Sequence, residues 1–145
     1  MNKHRVVLDA HVLVAASRSR NGASFAVLQA LRERRFVALV SVPLMLEYEA
    51  VLKAPEQLRA SKRTPELIDR FLDALVLLSE PVAFFCLWRP QTRDPADEMV
   101  LETALNGGAD GLVTHNRAGF DAAAARFKLA LWTPGEFLRR LDTEG

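Results

Sequence analysis

The chain has 145 residues, 50% of them apolar and 26% charged, which places residues 1–145 among single globular domains able to bury a core. Its 19 basic and 18 acidic residues leave a formal charge of +1, so bulk charge identifies no polyanionic partner and only local clustering could. The one cysteine, Cys86, excludes an intrachain disulfide framework, and its apolar setting in Val82-Ala83-Phe84-Phe85-Cys86-Leu87-Trp88 suggests a buried thiol in a reducing cytoplasm.

Arg5 to Leu8 is a short β-branched, apolar run that Asp9 interrupts too early for a secretory signal. No later run approaches the roughly 20 apolar residues of a membrane helix, so the expectation is a soluble, unprocessed, cytoplasmic protein that meets no membrane. Val12 to Ala16 continues as a helical turn, and Asn21-Gly22 marks a turn. Phe25, Leu28 and Leu31 then recur at helical spacing up to the basic Arg32-Glu33-Arg34-Arg35. Phe36 to Val42 is a second strand. Pro43 suits a first helical turn, and Leu44, Tyr48, Val51 and Leu52 form one stripe after it.

Beyond a polar stretch at 54–63, Thr64-Pro65 opens a helix with Leu67, Phe71, Leu75 and Leu78 on one face, and Val82 to Leu87 is a further strand. Asp94-Pro95-Ala96-Asp97 starts a helix whose core face is Val100, Leu101, Ala104 and Leu105 and whose C-cap is Asn106-Gly107-Gly108. Strands at Leu112–Thr114 and Leu129–Trp132 follow. Thr133 and Glu136 supply a capping box to the last helix. Alternation of strand and helix without repeats indicates an α/β fold with a largely parallel sheet.

Ligands of such sheets bind beyond the carboxyl ends of the strands, so polar residues following apolar strands are the candidates. Asp9 follows Val6-Val7-Leu8, where it either enters the crevice or caps the next turn. Glu47 falls on the stripe of Leu44 and Val51, and a carboxylate there needs a cation, either an arginine or a metal. Asp97 heads the stripe of Val100, Leu101 and Ala104, whereas Asp94 suits an N-cap before Pro95. A further strand ends in Thr114-His115-Asn116. With no cluster of His and Cys, hard oxygen donors favour Mg²⁺ or Mn²⁺ over zinc. Clustered carboxylates around such ions suit phosphodiester hydrolysis, with Arg18, Arg20, Arg35, Lys62 or Arg63 available to steer a phosphate backbone.

These segments together resemble the PIN-domain family, specifically the VapC-like toxins of type II toxin–antitoxin modules. Val6 to Val14 is similar to the strand-one pattern that ends in D-T-N-V-L. Ser41 to Tyr48 is similar to S-x-x-x-x-x-E-[FY], and Asp94 to Ala104 to D-P-x-D-x-x-x-L-x-x-A. Ala109 to Asn116 and Trp132 to Leu138 resemble the remaining two segments, so the likeness covers nearly the whole chain. The resemblance implies a three-layer α/β/α sandwich around a mostly parallel sheet, and an Mg²⁺- or Mn²⁺-dependent endoribonuclease. It implies that Asp9, Glu47 and Asp97 are catalytic and metal-binding acids, with Asp94 as an accessory ligand. Asn116, Thr114, His11 and Ser41 become substrate-contacting or supporting residues. A small cognate antitoxin, a homodimer and an RNA substrate are the implied partners.

Two departures stand out. Ala10 and His11 replace the pattern's Thr and Asn, and Asn116 replaces its fourth acid, with Gly119 where a branch of the family carries an acid and only Asp121 nearby. Each missing carboxylate weakens the hold on a second ion. The competing reading is therefore a non-catalytic PIN module that binds RNA or a protein. An aspartyl-nucleophile phosphatase fits poorly, because His11 stands where its second aspartate belongs.

Overall fold

A computed structural model of the chain describes residues 3–85 and 94–144. Strand β1 (Arg5–Leu8) is buried from Val6 onward, and Asp9 at its end becomes the N-cap of α1 (Ala10–Arg18) without making a side-chain capping bond. Helix α2 (Ala23–Arg32) starts after the Asn21-Gly22 turn and ends on a cation. Strand β2 (Val37–Val40) leads into α3 (Val42–Leu52), where the Ser41 hydroxyl accepts the Leu44 N–H and Pro43 sits in the first turn. Two helices follow, α4 (Pro55–Ser61) and α5 (Pro65–Leu78), the second capped by Thr64.

Strand β3 (Glu80–Pro81) is minimal. Helix α6 (Pro95–Gly107) begins where Asp94 accepts the Ala96 N–H, and ends at Gly108, whose φ of +63° is the left-handed value glycine adopts without cost. The chain finishes with β4 (Gly111–Val113), a 3₁₀ turn (Arg117–Gly119), α7 (Asp121–Phe127), β5 (Ala130–Trp132) and α8 (Pro134–Glu144). The capping box of α8 forms as expected, with Thr133 and Glu136 exchanging backbone-to-side-chain bonds of 2.8 and 3.2 Å.

All strand pairs are parallel, in the order β3-β2-β1-β4-β5, and helices flank the sheet as the α/β/α reading requires. The chain moves outward from β1 to β3, crosses back to place β4 on the other side of β1, and continues to β5. Direction therefore reverses between β1 and β4, and that reversal opens a crevice at their carboxyl ends. Register makes Leu8 the partner of Val113, so Asp9 and Thr114 leave the sheet side by side. The core beneath holds Leu8, Leu39, Tyr48, Leu101, Leu112, Phe120 and Phe137, all essentially inaccessible, each worth about 1.5–3 kcal/mol against exposure.

Two expectations need correction. The third strand is Glu80–Pro81, and Val82–Phe85, the described part of the expected Val82–Leu87 strand, are not in it: β2 ends at Val40, and the Val82 N–H takes the last carbonyl of that strand. Cys86 and Leu87 lie outside the described residues, as does the reading of Cys86 as a buried thiol. The buried faces of α2 and α5 are rotated by about one residue from the expected ones, to Ser24, Val27, Ala30 and Leu31, and to Ile68, Leu72 and Leu75; Leu67 is 43% exposed. Both helices are apolar on more than one face, so spacing alone did not choose between neighbouring stripes. Helices α4 and α7 were not anticipated.

Candidate active site

At the reversal point Asp9 is 5% exposed, with its backbone N–H on the Val113 carbonyl at 2.9 Å. Its carboxylate accepts a 2.7 Å hydrogen bond from Thr114, which is fully buried. The Thr114 oxygen itself accepts the Asn116 N–H at 3.0 Å. One hydroxyl thus orients the acid and closes the turn after β4.

Asp97 is 8% exposed in the first turn of α6. Burial, then the charges of Asp9 and Asp94, push its carboxyl up to about 6, with Glu98 adding to the rise and His11 opposing it. Among the described residues, no arginine or lysine is one of the groups acting on it. Asp9, Asp94 and Asp97 therefore share one electrostatic neighbourhood, although they enter from two distant segments. Asp94 has both roles considered for it: it caps α6, and its charge reaches Asp97.

Glu47 is half-buried on α3, flanking the stripe of Leu44, Tyr48 and Leu52. It makes no hydrogen bond or ion pair among the described residues and is not among the groups perturbing Asp97. Its neighbour Tyr48 is buried and donates to the Leu8 carbonyl, one residue before Asp9. Burial and the Asp9 charge raise the Tyr48 phenol far above its ordinary value, so it stays a donor. Ser41, at the start of α3, shares a 2.7 Å hydrogen bond with Thr103 of α6, and Thr103 also donates to the Met99 carbonyl. The helix of Glu47 is thereby fastened to the strand of Asp9 and to the helix of Asp97.

His11 is exposed and bears on Asp97 only through charge. His115 is exposed but anchored, its Nε2 lying 3.1 Å from the hydroxyl of the buried Ser24. Asn116 folds back to accept the Gly119 N–H at 3.3 Å. A Cβ on Gly119 would stand 2.5 Å from the Asn116 amide nitrogen and 3.1 Å from an Asp97 oxygen, so residue 119 borders the acid cluster. Of the candidate steering cations, Arg35 is paired with Asp142 and Arg18 is held by Gln57.

The residues missed from sequence are Tyr48 and Thr103 as fasteners, and Glu98 and Glu102 as buried acids of α6. The four-residue spacing of the two glutamates, one position after Asp97, was the available signal. Among the described residues no group of three or more His, Cys, Asp and Glu side chains is arranged to hold a metal ion, and no helix is long and apolar enough to cross a membrane. The donor chemistry nonetheless suits a hard cation, since Asp9 and Asp97 are buried carboxyls within Coulombic reach of each other, with no arginine or lysine of the described residues acting on Asp97.

A protein-family model described as the PIN domain matches residues 5–118, from the first residue of β1 into the 3₁₀ turn. The match contains Asp9, Glu47, Asp94, Asp97, Thr114 and Asn116. No curated protein matches the chain.

Proposed function

The chain belongs to the PIN-domain family, a nuclease fold, and on that premise we propose that it is an endoribonuclease dependent on Mg²⁺ or Mn²⁺, hydrolysing RNA phosphodiesters at the crevice between β1 and β4. The observation that carries this reading is Asp97, an acid held uphill beside Asp9 and Asp94. A domain that keeps like charges together in a crevice sacrifices stability that a bound divalent cation would restore.

Asp9 and Asp97 would hold the ion, with Asp94 and Glu47 as the further carboxylates. When bound, such an ion offsets the acids and stabilises negative charge developing on the phosphate. Thr114 keeps the Asp9 carboxylate turned toward the crevice, and the Tyr48 bond fixes the strand end from which Asp9 projects. Asn116 and His11, at the exposed rim, would meet the RNA backbone, and Ser41 with Thr103 keeps α3 and α6 in register. The likeness of the sequence to VapC-type toxins supports a toxin role, with a homodimer and a small antitoxin as partners.

Purified protein incubated with single-stranded RNA or transfer RNA and manganese should cleave it, and Asp9→Asn should lower the rate by about a hundredfold or more. Equal rates for the two proteins would exclude catalysis by this site. The second reading, a non-catalytic RNA- or protein-binding module, draws on Asn116 spending its side chain on the turn at Gly119. It predicts RNA binding without calorimetric uptake of magnesium.

A further inference from the structure

A pocket of about 100 Å³ lies away from the acid cluster, where α1, α2, α3 and α5 meet. Leu13, Phe25, Leu52 and Phe71 make most of its wall, and its polar lining comes from Ser17 and Arg63. Ser17 has no donor to spare for an anion: its hydroxyl donates to the Val14 carbonyl at 2.7 Å and accepts from Nε2 of Gln57 at 2.7 Å. Arg63 is the opposite case. Its Nε–H is shut off from solvent with no hydrogen-bond partner, and its guanidinium meets no carboxylate, among the described residues.

A desolvated guanidinium Nε–H in an apolar wall is a strong donor awaiting an anion, and with a neighbouring Nη it forms a planar fork that matches a carboxylate better than a single-point acceptor. The rest of the wall accepts only hydrocarbon. From this charge and shape complementarity we infer that the pocket binds a small aliphatic monocarboxylate, with the acid on Arg63 and the chain against Leu13, Phe25 and Leu52. Cavities of about 150 Å³ accept benzene, so about 100 Å³ holds the roughly four-carbon chain of a branched five-carbon acid whose carboxylate sits at Arg63. Such a ligand would touch α1 and α3, the helices that follow Asp9 and carry Glu47. The inference stands on the pocket alone and does not depend on the nuclease reading.

The probe is isovalerate, titrated into the full chain while the methyl NMR signals of Leu13, Leu52 and Ile68 are followed, with isovaleramide as its neutral isostere. Saturable shifts with a dissociation constant of about 1 mM are expected for a ligand of this size. The amide, and Arg63→Met with the acid, should each bind at least about tenfold more weakly. Ala16→Val, which adds bulk at the pocket wall, should also weaken binding. Acid and amide binding alike would overturn the proposal and leave a merely apolar void; absence of saturable shifts on folded protein would leave a hydrated one. Should Arg63→Met fail to fold, the wild-type preference for acid over amide decides the matter, with Arg63→Lys required to bind the acid less tightly than wild type.

Discussion

At the amino end of β1, Arg5 forks onto the Glu80 carboxylate of β3, reaches the Gly107 carbonyl at 2.9 Å and gives its backbone N–H to Asp110 at 2.8 Å. At the carboxyl end of the same strand, four residues on, the charges of Asp9 and Asp94 both act on Asp97. The two ends shift their acids in opposite directions. Arg5 holds the Glu80 carboxyl below its ordinary value, whereas burial and like charges hold that of Asp97 above it. One end of the sheet is built to stay together; the other stores like-charge repulsion.

The largest effect that would sharpen this contrast comes from Asp97→Asn. Removing the charge should cut manganese-dependent RNA cleavage by about a hundredfold or more while raising stability at pH 7. A shift from 3.8 to about 6 corresponds at most to about 3 kcal/mol, and partial solvent screening reduces the expected gain to about 1–2 kcal/mol. Denaturant unfolding beside a cleavage assay checks both signs. A variant that loses stability at pH 7 would break the contrast.

The same carboxyl sets a pH dependence. Because its folded value is raised, its contribution to stability is complete below about 3.8 and is lost as pH rises through about 6. Wild type should therefore weaken relative to Asp97→Asn across that window, by the same 1–2 kcal/mol or so. Manganese at pH 7 should raise the melting temperature of wild type and do so less for the variant, in a scan that needs no substrate.

Much of the stored-charge end was legible in the sequence, because strands that run straight into Asp9 and Thr114, and a helix headed by Asp94 and Asp97, declare their polarity locally. The caps at Thr64, Asp94 and Thr133 were legible for the same reason: each uses a side chain and a backbone group within three residues. What was hidden depends on distant partners. Strand β3 is short because β2 stops at Val40, and the faces of α2 and α5 are chosen by the helices they meet. Helices α4 and α7, of seven residues each, are too short to hold without tertiary packing. The Tyr48 bond to Leu8, the Ser41–Thr103 pair and the burial of Glu102 join residues that no spacing rule connects.

A smaller effect tests how the Asp9 carboxylate is aimed. Thr114→Val removes the 2.7 Å bond to Asp9 and the acceptor for the Asn116 N–H with little change in shape. Hydrogen bonds to charged groups are worth about 1.5–3 kcal/mol, so cleavage should fall by about tenfold. Thr114→Ser should recover most of the activity, since it restores the hydroxyl. Recovery by Ser distinguishes orientation of the acid from packing beneath it.

The smallest effect is expected where charge is already balanced. Arg5 and Glu80 are both substantially exposed, at 35% and 46% of their side chains, and exposed pairs contribute about 1 kcal/mol or less. Arg5→Met should cost stability of that order, with RNA cleavage unchanged because nothing at the amino end touches the crevice. The lowered Glu80 carboxyl fixes the sign of the pH response: its contribution is present above its unfolded value of 4.5 and fades as pH falls through the folded one. Acid should therefore narrow the gap between wild type and Arg5→Met while it strengthens the Asp97 end. If Arg5→Met instead lost cleavage in proportion to stability, the two ends of β1 would be one cooperative unit, and the division of labour along the strand would be wrong.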